Sequence, residues 1–223
     1  MPKPSRIFSC LLTICISINL LAQPPQISVV TDIGLQRSLK KDQKFWAFGH
    51  TLQFQYHITY KDALYVWLSY YTNGKFSNFL TATAKDPSTN PQQVDYLNHA
   101  RMGFKHFSLG WKKYLINQYD IESGWNLYVY GGFGVLFGKV INELSATIDT
   151  AVYNMPVLGG EAAFKRLTVD LGLGSEFPIG ADFFIFTEGR LWVPASDYPS
   201  KYVFVNNNAP LVGMFNLGVR VLF

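Results

Sequence analysis

The sequence "PLVGMFNLGVRVLF", residues 210–223, alternates between two kinds of side chain up to its last residue. In a β-strand, successive side chains point to opposite faces of the sheet. One face of this segment is therefore wholly apolar, whereas the other carries Asn216 and Arg220. A soluble protein would turn the apolar face into a core, and a membrane barrel would turn it towards lipid. The apolar face consists of Phe215, Leu217, Val219, Val221 and Phe223.

The first 22 residues have the pattern of a secretory signal peptide. A short basic start precedes an apolar run that is too brief to span a bilayer comfortably, and Ala22 ends this run. We therefore predict cleavage between Ala22 and Gln23, which gives a barrel domain of residues 23–223. An uncleaved anchor helix is the alternative, but two prolines directly after Gln23 stop the apolar run.

The composition of the mature chain excludes several classes of protein. Both cysteines, Cys10 and Cys15, lie in the predicted leader, so disulfides, thiolate metal sites and thiol catalysis are excluded. The formal net charge of +4 includes two basic residues of the leader, and no basic cluster indicates nucleic-acid binding. Beyond the leader, no run approaches 18 apolar residues. A membrane-embedded mature chain would therefore have to be a closed barrel, because only helices and closed barrels satisfy their backbone groups in lipid.

Period-two alternation recurs along the chain and predicts eight strands. We place them at about 26–37, 46–60, 63–74, 102–116, 125–141, 164–178, 182–194 and 210–223. Short connections at 60–63, 117–124 and 178–181 alternate with long ones at 38–45, 75–101, 142–163 and 194–209. Outer-membrane barrels show this alternation, because their periplasmic turns are short and their external loops are long. An even number of strands would return both termini to the periplasm.

Aromatic residues of the apolar face collect beside the short turns. A small soluble barrel such as a lipocalin would keep its apolar face inside, and it has no reason to gather aromatic residues in one ring. At a membrane interface, such a ring is the expected aromatic girdle. The predicted girdle consists of Tyr60, Trp125, Phe177, Phe183 and Phe223.

With these patterns, the chain resembles the small outer-membrane β-barrels of Gram-negative bacteria, of the OmpA-transmembrane-domain or OmpX-like type. The most specific part of the resemblance is the terminal strand, "MFNLGVRVLF". The resemblance implies an all-β, eight-stranded, antiparallel up-and-down transmembrane β-barrel with meander topology and both termini in the periplasm. In that family, a C-terminal aromatic with alternating apolar residues resembles the signal read by the barrel-assembly machinery. Here this signal maps onto Phe215, Leu217, Val219, Val221 and Phe223.

Eight charged residues have the parity of the barrel interior, and acids and bases are equal in number. Charge inside a narrow protein interior must be paired or neutralised. The balance predicts an ion-pair network that fills the barrel, whereas a selective conduit would show an excess of one sign. The predicted network consists of Asp32, Lys112, Arg166, Asp170, Glu176, Glu188, Arg190 and Arg220.

The sequence shows no motif for catalysis, cofactor binding or metal binding. The glycine-rich stretch at 130–138 has the wrong spacing for a dinucleotide fingerprint, and its pattern predicts a strand. The four histidines, His50, His57, His99 and His106, do not pair at metal-ligand spacing. We therefore predict no cofactor and no enzymatic activity.

These observations predict an integral outer-membrane protein with a plugged lumen and a structural or surface-interaction role. Long loops on a rigid scaffold commonly carry function. The expected partners are outer-membrane lipid and lipopolysaccharide, the barrel-assembly machinery during insertion, and an external or envelope protein. Three alternatives remain open at this stage: transport of a small hydrophobic solute, a lipid-modifying outer-membrane enzyme, and an accessory barrel of a secretion apparatus.

Overall fold

The computed structural model describes residues 26–40, 43–180, 182–195 and 211–223. Its strands are β1 (Gln26–Ser38), β2 (Trp46–His57), β3 (Asp62–Ala84), β4 (Gln93–Ile116), β5 (Asn126–Leu144), β6 (Tyr153–Asn154), β7 (Gly160–Pro178), β8 (Phe183–Pro194) and β9 (Val212–Leu222). The predicted leader and its cleavage site lie outside the described residues, so this prediction stands untested.

Eight of the nine strands form a closed antiparallel ring. Each long strand pairs with its neighbours along the chain, β1 also pairs with β9, and β2 pairs with β3. The two-residue strand β6 is not part of the ring, because it lies in a loop and pairs with the end of β3. The predicted eight-stranded up-and-down barrel is therefore confirmed.

The two ends of the barrel differ. The segments between β2 and β3, β4 and β5, and β7 and β8 lie at one end, which we call the turn end, together with Gln26 and Phe223. The opposite end, the loop end, is where β1, β3, β5 and β8 end and where β2, β4, β7 and β9 begin.

Two of the predicted long loops contain strand, which corrects the sequence-based boundaries. β3 continues to Ala84 and β4 begins at Gln93, so the predicted loop 75–101 shortens to residues 85–92. The predicted loop 142–163 shortens in the same way to 145–159 and contains β6. Above the barrel, β3 and β4 pair without a break from Gly74↔Met102 to Thr83↔Gln93.

Candidate functional site

The five predicted girdle residues lie at the turn end with their side chains exposed on the outer surface. Tyr60 precedes β3, Trp125 precedes β5, Phe177 is the last residue but one of β7, Phe183 begins β8, and Phe223 follows β9. Between this ring and the loop end, the outer surface of the barrel is dominated by exposed apolar side chains. A surface of this kind is stable against lipid and unfavourable against water.

The terminal strand presents its predicted signal residues to the same outer surface. Phe215, Leu217 and Phe223 are exposed, and Val219 and Val221 are partly exposed on the same face. The backbone of Phe223 pairs with Ile27, since its N–H donates to the Ile27 carbonyl at 2.8 Å. The role of these residues in assembly stays a prediction.

The eight predicted interior charges are all buried inside the ring. They separate into groups with different partners, which the alternation of faces in the sequence could not predict.

The first group lies at the turn end, around Glu176. Arg220 donates to both carboxylate oxygens of Glu176, at 3.1 and 2.7 Å. Lys112 approaches the same carboxylate at 3.4 Å, and the Asn126 amide donates to it at 2.9 Å.

Arg220 makes further contacts besides the one with Glu176. Its guanidinium donates to the Ser28 hydroxyl at 3.1 Å and to the Tyr119 carbonyl at 2.6 Å. The guanidinium also lies 3.7 Å from the ring centroid of Phe184. A buried ion pair is stable only when its remaining donors and acceptors are satisfied, and here the neighbouring groups satisfy them.

The second group lies in the middle of the barrel, around Arg190. This guanidinium pairs with Asp32 at 2.7 Å and with Glu188, and it donates to the hydroxyls of Thr51 and Tyr130, each at 2.9 Å. Asp32 and Arg190 are far apart in sequence, and the closure of the ring between β1 and β9 brings them together. Ion pairs and hydrogen bonds of Arg190 therefore connect β8 with β1, β2 and β5 inside the barrel.

Asp170 has a different environment from the other acids. Its carboxylate accepts hydrogen bonds from the hydroxyls of Ser108 and Thr168, and His106 Nε2 lies 3.4 Å away. Within the described residues, no lysine or arginine lies within ion-pair distance of it. His106 is itself fixed by a hydrogen bond of 3.1 Å from the Trp67 indole. Neutral donors therefore replace the cation that the charge balance had predicted here.

Arg166 lies nearer the loop end. Its guanidinium donates to the Lys165 carbonyl at 2.9 Å and lies 5.5 Å from the Phe164 ring. A cluster of buried apolar side chains fills this part of the lumen. Its large members include Phe45, Tyr71, Phe104, Phe164 and Trp192. The lumen is thus filled by charge pairs and tyrosines at the turn end and by apolar packing at the loop end.

The predicted network contained charged residues alone and left out its neutral members. Their interior parity would have identified them, since they alternate with the lipid-facing residues. They are Ser28, Thr51, Ser108, Asn126, Thr168 and Asn216. Interior glycines also have a steric role. A side chain at Gly134, for example, would collide with His106 and Asp170.

The second candidate site is the sheet that continues beyond the barrel at the loop end. We call it the extended sheet: residues 74–84 of β3, 93–102 of β4, 139–144 of β5 and 160–165 of β7. The loop 145–159 folds against one side of it and forms a small separate core with the hairpin. This core contains Leu80, Ala82, Tyr96 and Val157.

Side-chain hydrogen bonds hold the end of the β3–β4 hairpin. The Lys85 ammonium donates to the Thr150 carbonyl at 2.7 Å, and the Tyr153 hydroxyl donates to the Pro91 carbonyl at 3.0 Å. The backbone N–H and the hydroxyl of Ser88 both donate to Asp86, which holds the pKa of that carboxyl below its usual range. The hairpin end is therefore a structured surface.

The described residues offer no group of three or more His, Cys, Asp or Glu side chains that could hold a metal ion. None of their secondary structure is a helix that is long and apolar enough to cross a membrane.

Comparison with known proteins identifies the fold. No protein-family model matches the chain, and no curated protein matches it. Among solved structures, the outer membrane protein OprG from Pseudomonas aeruginosa is 12% identical, with 90% of this chain and 97% of OprG covered at a TM-score of 0.50. A major outer membrane protein from Thermus thermophilus is 10% identical, with 90% and 100% covered at a TM-score of 0.50. Ail of Yersinia pestis is 15% identical, with 90% and 100% covered at a TM-score of 0.49.

At these identities, the similarity concerns the fold, which is that of the small outer-membrane barrels. Together with the apolar outer surface and the polar interior, it confirms the predicted OmpX-like architecture and the predicted outer-membrane location.

Proposed function

We propose that this outer-membrane barrel is a rigid platform that presents its extended sheet to a protein partner outside the cell. In this arrangement the loop end faces outwards, and the turn end with both termini faces the periplasm. The long excursions of the chain beyond the barrel, residues 74–102 and 139–165, both lie at the loop end. They support this orientation, because outer-membrane barrels place their long loops outside.

The observation that carries the proposal is the ladder between β3 and β4 beyond the barrel. A barrel strand needs about 9–11 residues to cross the membrane, whereas β3 has 23 residues and β4 has 24. The surplus forms a paired hairpin with its own small core. Folding has already ordered this segment, at a cost in conformational entropy. A partner that binds the ordered hairpin therefore loses less entropy than it would on binding a disordered loop.

Phe79 is the strongest candidate for a contact residue on the extended sheet. Its side chain is 89% exposed, and it lies directly across from Leu97 on the outer face. Leu97 precedes the lipid-facing Phe107 by ten positions in β4, which corresponds to about 34 Å of strand towards the loop end. The pair therefore stands well above the apolar belt, where a large exposed aromatic is favourable only against a partner. Aromatic residues of this kind are frequent anchors of protein interfaces.

The edge of the hairpin offers a second mode of contact. From Lys75 to Ala82, β3 pairs with β4 on one side, and the described residues provide no strand on its other side. A free strand edge presents N–H and C=O groups that a partner strand can complete.

The filled interior argues for a binding role rather than for passage or catalysis. The largest buried side chains in the lumen include Trp67, Trp192 and Arg220. Ser108, His106 and Asp170 lie in contact, but all three are buried inside the ring, so a substrate cannot reach them. We therefore retain the proposal that the protein is not an enzyme.

A photo-crosslinking amino acid at position 79 tests the proposal on intact cells. We expect discrete protein adducts at native expression levels, and none from the same amino acid at Ile33, a lipid-facing position that is 69% exposed. In a second variant, an Asn-Gly turn replaces residues 76–100 and joins the paired residues Lys75 and Arg101. This variant should reach the outer membrane in the same amount as wild type and should no longer bind the partner. Absence of adducts at position 79, or full binding by the shortened variant, would contradict the proposal.

A further inference from the structure

The outer surface changes from apolar to charged side chains at one row of paired residues. Lys105 of β4, Phe137 of β5 and Lys165 of β7 lie directly across from one another and are all exposed. The neighbouring row towards the turn end is wholly apolar. It consists of Leu52, Leu68, Phe107, Val135 and Leu167. The lysines therefore form the first charged row beyond the lipid-facing surface.

Lys139 adds a third ammonium group in the next row towards the loop end. It lies two residues beyond Phe137 on β5, between Gly103 and Ala163 of the neighbouring strands. Because both neighbours are small, the Lys139 side chain has space to approach the other two lysines. Adjacent strands lie about 4.8 Å apart, so Lys105 and Lys165 are separated by about 10 Å at the backbone. We call Lys105, Lys139 and Lys165 the lysine triangle.

The lysine triangle carries an excess of positive charge. In the described part of the chain, Lys105 and Lys165 have no acidic partner within ion-pair distance. Lys139 pairs with Glu161 at 2.8 Å, but both side chains are more than half exposed. Exposed pairs of this kind are weak and exchange readily with other ligands. The cluster is therefore complementary to a compact group with more than one negative charge.

Apolar grooves lie on the outer surface on both sides of Phe137. The larger has a volume of about 660 Å³, and its lining includes Leu52, Leu68, Tyr70, Lys105, Phe107 and Phe137. A smaller groove of about 340 Å³ lies on the other side, against Phe137, Ala163 and Lys165. The larger groove thus runs from the lipid-facing row to Lys105, whereas the smaller groove lies at the level of Lys165 and extends towards the loop end.

The height of the lysine triangle matches a membrane interface. Lys113 lies at the turn end, paired with Asp62, and is eight positions from Lys105 along β4. At about 3.4 Å per residue and a tilt of about 40°, the two levels are about 21 Å apart along the barrel axis. This distance is close to the apolar band of about 25 Å in outer-membrane barrels.

We propose that the lysine triangle and the larger groove beside Phe137 bind a phosphorylated, acylated glycolipid of the outer leaflet, in the manner of lipid A. The lysines hold its phosphate groups, and the larger groove takes an acyl chain. The assignment to the outer leaflet rests on the proposed orientation, whereas binding of the glycolipid itself can be measured without it.

The test is native mass spectrometry of the purified barrel in mild detergent, titrated with bisphosphorylated lipid A. Wild type should bind the lipid, and lipid A from which both phosphates have been removed should bind at least tenfold more weakly. The variant K105Q/K139Q/K165Q should bind the bisphosphorylated lipid about a hundredfold more weakly, given the usual contribution of basic residues at an anionic surface. The control variant K61Q/K85Q/K113Q has the same change in charge at other surface positions and should bind like wild type.

Three results would overturn the proposal. These are equal binding of the dephosphorylated lipid, equal losses in the two triple variants, and equal affinity for phosphatidylglycerol, which would indicate unspecific attraction to anionic lipid. Heat-modifiable electrophoretic migration checks that each variant is folded, and the single variant K105Q serves if the triple variant is not. If the loop end faced the periplasm, these affinities in detergent would be unchanged. An incorrect orientation and an incorrect glycolipid site therefore give different results.

Discussion

Arg220 of β9 donates two parallel hydrogen bonds to the carboxylate of Glu176 of β7 in the closed interior of the barrel. The two strands are not neighbours, because β8 lies between them in the ring. The pair therefore bridges two strands that are not hydrogen-bonded to each other, on the interior side of β8. A two-point arginine–carboxylate contact is the strongest form of ion pair in proteins, and this one is fully buried.

Replacing Arg220 by Leu should lower the free energy of unfolding by about 3–5 kcal/mol, because Glu176 would lose its main partner in a dry interior. The loss should fall near the lower end of this range, since Lys112 and Asn126 continue to contact the carboxylate. Urea unfolding of the purified protein in lipid or detergent measures it.

The matched control is Arg101→Leu. Arg101 pairs with Glu143 at 2.7 Å, but the side chains of this pair are 46% and 58% exposed. An exposed pair contributes about 1 kcal/mol or less. If the Arg220 variant unfolded like wild type, or no earlier than the Arg101 variant, the interior network would not be structural.

Deleting Phe223 should impair insertion into the outer membrane while leaving the sequence of every other strand intact. The Phe223 side chain is 72% exposed on the lipid face, so its loss removes little packing from the interior. Quantitative immunoblotting of outer-membrane fractions measures the effect, and Phe223→Tyr, which keeps a terminal aromatic, is the control. Wild-type levels of the shortened chain would remove the assembly-signal interpretation.

The strands within the membrane were predictable because both faces there are under constraint. One face must suit lipid and the other a crowded interior, so apolar residues recur with period two. Beyond the membrane, the outer face is free to be polar while the backbone pairing continues. In β3 the residues Lys75, Ser77 and Thr81 share that face with Phe79, so the contrast between faces disappears.

A bulge adds to this loss of pattern. Between Tyr71 and Gly74 the register with β4 shifts, and Thr72 and Asn73 are both exposed. The alternation restarts with the opposite parity, so the continuation of β3 resembles a polar loop in the sequence.

The ion-pair partners could not be predicted from the sequence for a related reason. Parity shows which side chains enter the lumen, but the stagger around the ring decides that Arg190 meets Asp32 and that Asp170 meets Ser108.

The purified barrel should not conduct ions steadily across a planar bilayer. Eight strands enclose a space that side chains can fill, and here aromatic residues such as Trp67, Tyr128 and Trp192 occupy it together with the ion pairs. Single-channel recording at moderate voltage should therefore show a flat baseline. Reproducible unitary steps from the pure protein would favour the transport alternative over the binding role.

The mature protein should begin at Gln23. The order of basic, apolar and small residues before this position is that of a cleaved leader. N-terminal sequencing of protein isolated from the cell envelope checks the prediction. An intact Met1 would show instead that the segment is retained as an anchor.

The orientation of the extended sheet is the central claim, and an epitope inserted after Ser88 tests it most directly. Ser88 lies in the segment 85–92 at the end of the β3–β4 hairpin, whereas Gly180, the control position, lies in the turn between β7 and β8. On intact cells, antibody should stain the epitope at Ser88 and leave the epitope at Gly180 unstained until the outer membrane is permeabilised. Staining at Gly180 on intact cells, with none at Ser88, would contradict the account.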